Sequence, residues 1–139
     1  KGRRKMPSVL KTETYPGFPT DLQSAFLAAM TVAEGDGVLE ETIFETRFRI
    51  VPQLCKMGAR ICCFENRVCV TGIGRLTGAV LEAEELRGGA ALVVAGSAAE
   101  GRSIIYNRHF IERGYEDICQ DLRDVGVRCR KTDFSEKDR

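Results

Sequence analysis

The segment Ala33-Glu34-Gly35 returns 66 residues later as Ala99-Glu100-Gly101, and the residues around both copies return in the same order. At the same offset Arg47 matches Arg113, and Gly58 matches Gly126 after a small insertion. This self-similarity limits the fold more than any other feature, because a unit used twice must bury its apolar face in the same way twice. In the first copy, residues 20–34 carry Leu22, Phe26, Leu27, Met30 and Ala33 at helical spacing, with Thr20 or Asp21 as the cap and Gly35 as the stop. Residues 37–43 read as a strand. Residues 47–58 read as a second helix, with Pro52 tolerated near its first turn, and 59–72 as a hairpin turning at Glu65-Asn66. One earlier strand is expected around Val9–Thr12. The second copy offers a strand from residue 79, a helix over 85–101, a strand over 102–107, a helix over 111–126 and a strand over 127–131.

The chain is therefore expected to be α/β (α+β), built from two β-α-β-α-β-β units. The first covers residues 1–71, including a basic tail at 1–7. "GIGRLTG" at 72–78 links it to a second unit at 79–131, and 132–139 forms a C-terminal tail. The second unit lacks its last strand, which leaves a sheet edge unpaired, and the first begins abruptly. Both features are expected of a chain cut from something larger.

Composition excludes several classes. With 21 basic and 20 acidic residues, the chain has no charge excess to attract nucleic acid or an anionic membrane. No run approaches the roughly 20 apolar residues of a spanning helix, and "KGRRK" is followed by an ordinary polar segment where a signal peptide would place an apolar one. The six cysteines form no Cys-x-x-Cys pair, and His109 is the single histidine. Zinc ligation and a secreted disulfide framework are both poorly supported. The expected state is six reduced, mostly buried thiols in a cytoplasmic protein, none placed as a nucleophile. "GIGRLTG" lacks the spacing of a dinucleotide fingerprint.

The residues that could carry chemistry are charged and sit at fixed places in the repeat. "YPGFPTD" spends two prolines and a glycine on the approach to Asp21, at a helix start where a carboxylate can also be a plain cap. Arg47 and Arg113 are expected to start the second helix of each copy. Arg87 lies in a first helical turn beside Gly88 and Gly89, where small residues let an anion approach backbone N–H groups. Three arginines converging from equivalent ends would suit a phosphate or a carboxylate. Surface ion pairing is the plainer use of the same residues.

"YPGFPTDLQ", "EGDGVLEETIFETRF", "VPQLCKMGA", "ELRGGAALVVAGSAAEG" and "RGYE" occur in an order that resembles the C-terminal part of the UDP-N-acetylglucosamine 1-carboxyvinyltransferase family, from about Leu10 to Lys131. The sister family that makes enolpyruvyl-shikimate phosphate shares the architecture but not the "PGFPTD" or "FETRF" wording. The resemblance implies an inside-out α/β barrel of six such units, of which this chain would supply about two. It implies transfer of the enolpyruvyl group of phosphoenolpyruvate to the 3′-hydroxyl of UDP-N-acetylglucosamine, the first committed step of peptidoglycan synthesis, with no cofactor and no metal. By position, Asp21 would bind that hydroxyl and take its proton, and Ile43 would touch the sugar nucleotide. Arg47, Arg87 and Arg113 would surround phosphoenolpyruvate, with Glu85 beside them.

Three positions depart from the family's usual pattern: Glu85 and Glu112 stand where aspartate is usual, and Thr46 where asparagine is usual. Glu85 reaches one methylene further than aspartate. The family's loop cysteine, its lysine and its further arginines belong to the other domain, and no cysteine here matches by motif. The fragment alone is thus expected to be inactive and to need the missing N-terminal domain as its partner, with neither nucleic acid nor membrane involved. Two rivals remain: a non-catalytic scaffold that reuses the repeat fold, and an enolpyruvyl transferase with another acceptor such as shikimate 3-phosphate.

Overall fold

The computed structural model describes residues 5–45 and 47–133. The ends of both expected tails, and Thr46, lie outside the described residues.

The first unit is a four-stranded sheet backed by two helices. β1 (Val9–Lys11) pairs in parallel with β2 (Asp36–Glu40), which pairs antiparallel with β4 (Arg67–Thr71), and β3 (Arg60–Phe64) closes the far edge. A 3-10 turn at Thr20–Leu22 leads into α1 (Gln23–Thr31), and a second at Arg47–Ile50 leads into α2 (Val51–Lys56), with Pro52 inside its first turn. The sheet alternates: Leu39, Val68 and Val70 point inward at no more than 1 % exposure, while Arg67 and Cys69 face out.

The second unit repeats the first half of this plan. β5 (Val80–Glu82) pairs in parallel with β6 (Ile104–Tyr106), and α3 (Leu86–Ala98) crosses between them. Val38, Leu39 and Glu40 of β2 correspond to Ile104, Ile105 and Tyr106 of β6 at the offset read in the sequence, and both triplets take a parallel partner on the same side. The matched glycines also agree in conformation. Gly35 and Gly101 have φ of 97° and 89°, and Gly58 and Gly126 have φ of 90° and 88°. Gly58 and Gly126 each close a helix with the same pair of backbone hydrogen bonds. The N–H of the glycine reaches back three residues, to Cys55 and Arg123, and that of the following residue five, to Leu54 and Leu122.

Two expectations fail in the second unit. The helix expected over 111–126 is broken into α4 (His109–Glu112) and α5 (Ile118–Asp124). Gly114 interrupts it where a Cβ would stand 2.7 Å from Leu86 Cδ1, and Asp117 starts a new helix by accepting the N–H groups of Cys119 and Gln120 at 3.1 Å each. Arg113 therefore ends α4 and does not start a helix. The strand expected over 127–131 is not formed: β6 pairs only with β5 among the described residues, and a strand needs a neighbour to satisfy its backbone. Among the described residues the second unit has no counterpart of the β3–β4 hairpin.

The two units share one core. Leu27, Met30, Leu54, Met57, Leu76, Leu81, Leu92 and Ala95 are at most 3 % exposed and belong to a single cluster. Its centre is α3, which packs on α1, α2, α4, β6 and the Arg47–Ile50 turn. Small residues permit this. A Cβ on Gly89 would fall 2.7 Å from Ile111 Cγ1 and 3.0 Å from Ala83 Cβ. Gly89→Ala should accordingly push α4 off α3 and destabilise the chain by about 1–3 kcal/mol, read from urea unfolding. Unchanged stability would mean that α4 is not seated on this turn.

Candidate functional site

The approach to Asp21 is stiff, as its prolines and glycine suggest. The loop begins at Thr12, which bridges to Phe18, and its turn is closed by Gly17 N–H donating to the Thr14 carbonyl at 2.8 Å. The Tyr15–Pro16 peptide is cis, and Phe18 meets the ring of Phe26 edge-on. Asp21 then sits inside the 3-10 turn. It is not the cap: Pro19 holds that position, with no side-chain capping bond. The Asp21 carboxylate instead reaches across to the other unit, where its Oδ1 lies 2.6 Å from Arg87 Nε. Asp21 and Arg87 occupy the same place in their respective copies, separated by the repeat offset.

Arg87 is fixed by the start of α3. Glu85 caps that helix, its carboxylate accepting from the backbone N–H groups of Arg87, at 2.9 Å, and of Gly88. This capping role accounts for Glu85 without substrate contact. The other expected arginines reach the same end of the molecule through backbone packing. Gly88 lies under Ile50, the last residue of the turn that Arg47 begins, and Gly114, next to Arg113, lies against Leu86. Arg47 is half-buried, with its guanidinium carbon 4.4 Å from the centre of the Phe44 ring, a cation–π contact. Arg113 is exposed and makes no hydrogen bond or ion pair among the described residues. Asp21 and Glu85 therefore each contact Arg87, while no side-chain contact joins Arg47 or Arg113 to them among the described residues.

Ile43 lies on a different wall. With Thr42 it faces the Tyr15-Pro16-Gly17 loop across a shallow cleft of about 640 Å³. A wider groove, about 1070 Å³, runs along β6, α4 and α5 and touches none of the expected site residues. The smaller cleft is lined by Ile43, the one expected site residue found in either of these two depressions.

The residue that holds these walls in place was not anticipated. Glu41 is 2 % exposed. Its Oε1 accepts from the Thr12 hydroxyl at 2.8 Å and from the N–H groups of Ile43 and Phe44 at 2.8 and 3.2 Å; its Oε2 accepts from the Thr20 hydroxyl at 2.8 Å. One buried carboxylate thus ties the loop before Asp21, the residue beside Asp21 and the backbone of Ile43. A sequence signal existed: Leu39 points in and Glu40 out, so strand alternation continued one residue brings Glu41 inward. Burial alone would raise its pKa. The donors of Ile43, Thr12, Thr20 and Phe44 outweigh that and hold the carboxyl below its ordinary 4.5.

Among the described residues no group of His, Cys, Asp and Glu is arranged to hold a metal ion, and no helix is long and apolar enough to cross a membrane.

Residues 3–122 match the family described as EPSP synthase (3-phosphoshikimate 1-carboxyvinyltransferase). A UDP-N-acetylglucosamine 1-carboxyvinyltransferase from Desulfofundulus thermocisternus is 46 % identical over 131 residues, covering 94 % of this chain and 54 % of its own length. A protein of the same name from a Jannaschia species is 47 % identical over 126 residues, covering 91 % and 30 %. The enolpyruvyl transferase NikO from Streptomyces tendae superposes with a TM-score of 0.79 at 31 % identity, over 90 % of this chain and 29 % of that one. An EPSP synthase from Acinetobacter baumannii shares the fold, with a TM-score of 0.72 at 18 % identity, over 79 % of this chain and 27 % of that one. The chain spans about half or less of the length of these relatives.

Because folding lowers the Glu41 pKa, its stabilisation is full above the unfolded value near 4.5 and is lost as pH falls through the folded value. Glu41→Gln should cost about 2 kcal/mol near neutral pH, because an amide nitrogen then faces N–H and O–H donors. It should also flatten the loss of stability on acidification. Urea unfolding across that pH range measures both, and an unaltered acid slope would refute this account of the carboxylate.

Proposed function

Since the chain belongs to the EPSP synthase (3-phosphoshikimate 1-carboxyvinyltransferase) family, we propose that it forms one wall of an enolpyruvyl transferase site. The acceptor would be the 3′-hydroxyl of UDP-N-acetylglucosamine, as in the relatives of that name. The observation that carries this reading is the Asp21–Arg87 pair. Its two side chains are 64 % and 39 % exposed, so the pair stands open to a substrate at a junction that packing has already fixed.

In this reading Asp21 holds the sugar hydroxyl and takes its proton as the oxygen attacks C2 of phosphoenolpyruvate. The stiff Tyr15–Pro19 loop and the Glu41 hydrogen bonds limit how far that carboxylate can wander, which is the requirement of catalysis by positioning. The guanidinium of Arg87, with those of Arg47 and Arg113, suits the phosphate and carboxylate of phosphoenolpyruvate and the charge that builds on them as the tetrahedral intermediate forms. Ile43, across the cleft from the proline loop, offers an apolar contact to the sugar nucleotide. Among the described residues no cysteine, histidine or lysine is recorded in contact with Asp21 or Arg87 to protonate the enol carbon. In this reading that step falls to the part of the relatives that these residues do not span, which favours inactivity of residues 1–139 on their own. Involvement in cell-wall synthesis in the cytoplasm follows from the same proposed substrates.

The description of the matching family supports a second acceptor, shikimate 3-phosphate. The "FPTD" and "FETRF" wording and the names of the curated relatives favour the sugar nucleotide.

The test is phosphate release from phosphoenolpyruvate with each acceptor. This chain alone should be silent. Mixed with the N-terminal domain of a complete relative, it should turn over with UDP-N-acetylglucosamine, and Asp21→Ala should lower the rate about 100-fold or more. Release with shikimate 3-phosphate alone would reassign the acceptor. Full activity of the Asp21→Ala mixture would remove Asp21 from the chemistry.

A further inference from the structure

Beyond α5 the chain carries chemistry that the transfer reaction does not use. After Gly126 the backbone folds back along α5 and α4, and polar contacts hold it there. Arg123 Nη1 donates to the Cys129 carbonyl at 3.0 Å. Lys131 Nζ lies 3.4 Å from Glu112 Oε1 and 3.5 Å from Asp117 Oδ1, and Arg108 Nη2 lies 2.9 Å from Asp133 Oδ1. Between these contacts, Cys129 Sγ stands 2.7 Å from Cys119 Sγ. Cys119 is 6 % exposed on the inner side of α5, and Cys129 is half-buried. A covalent S–S bond is about 2.05 Å long, so an approach of about 0.7 Å would join them. The other four cysteines are exposed, against the expectation of mostly buried thiols, because Cys62 and Cys69 lie on the outer face of the sheet and Cys55 on the outer side of α2. Two of them, Cys62 and Cys69, face each other across the β3–β4 hairpin and provide an internal comparison.

We propose that Cys119 and Cys129 form a reversible intrachain disulfide on meeting a low-molecular-weight disulfide, tying residues 127–131 to α5. Burial, and the sulfur of Cys129 beside it, push the Cys119 thiol up to about 12, so Cys129 attacks first. Its thiolate, having released its proton to solvent, breaks the S–S bond of the oxidant and expels one thiolate. Cys119 Sγ then attacks Cys129 Sγ in the mixed disulfide, giving up its proton and expelling the second thiolate. Two protein thiols are oxidised, the oxidant is reduced to two thiols, and both protons end on those thiols. The bond would hold Lys131 against Glu112 and Asp117, the residues that flank the turn bearing Arg113.

The experiment exposes the full chain to oxidised glutathione in buffer and in urea, alkylates the remaining thiols and maps the peptides by mass spectrometry. The expected product joins the Cys119 and Cys129 peptides with the loss of two hydrogen atoms, and dithiothreitol reverses it. It should form about tenfold faster in buffer than in urea, because the fold has already brought the sulfurs together. Cys129→Ser should abolish the link and leave Cys119 unmodified. Glutathione persisting on Cys129, an equal rate in urea, or a Cys62–Cys69 link forming while Cys119 and Cys129 stay alkylatable would each overturn the proposal.

Discussion

Everything at the functional end of this chain depends on how closely other elements approach the first turn of α3. Gly88 and Gly89 have no side chains to hold Ile50, Ala83 and Ile111 away, and Gly114 has none to hold off Leu86. Three pieces of chain, around Ile50, Ala83 and Ile111–Gly114, therefore meet around Leu86–Gly89. The cost is conformational, since two adjacent glycines weaken a helix start by about 1 kcal/mol each relative to alanine. Glu85 offsets part of it by capping the same turn.

Glu41 plays the corresponding part for the loops. A carboxylate withdrawn from water is costly unless its lone pairs are filled, and here two hydroxyls and two backbone N–H groups fill them. The side chain thus works as a junction between segments that are distant in sequence. Thr12, Thr20 and Ile43 can keep a common geometry although no regular secondary structure connects them. The floor of the site is set by backbone packing, and its rim by this one buried charge.

Much of this was legible in the sequence, unevenly. The repeat, the β3–β4 hairpin and the glycines at 35, 58, 101 and 126 could be read because each depends on local periodicity or on a backbone angle that glycine takes most readily. Arg87 could be placed in a first turn beside two glycines for the same reason. The break at Gly114 could not be weighed without Leu86, which is far away in sequence. The missing strand at 127–131 has alternating residues, but a strand also needs a partner, and periodicity does not report one. Asp21 looked like a cap because its neighbours fit that role; only the packing of the two units shows that its carboxylate is used elsewhere. The alternation that turns Glu41 inward was present, and what hid it was the habit of assigning glutamate to the surface.

The place held by Asp21 in one copy and by Arg87 in the other has a consequence for how two such units can coexist. A pseudo-symmetric pair brings equivalent positions face to face, here at 2.6 Å. Had both copies kept the same charged residue, two like charges would have met at that junction, and one would have had to give up its charge or the copies would have had to part. Duplication alone could not produce this contact. The symmetry of the backbone could be kept only by breaking the symmetry of the side chains, and the break falls at a partly exposed pair where the two units touch.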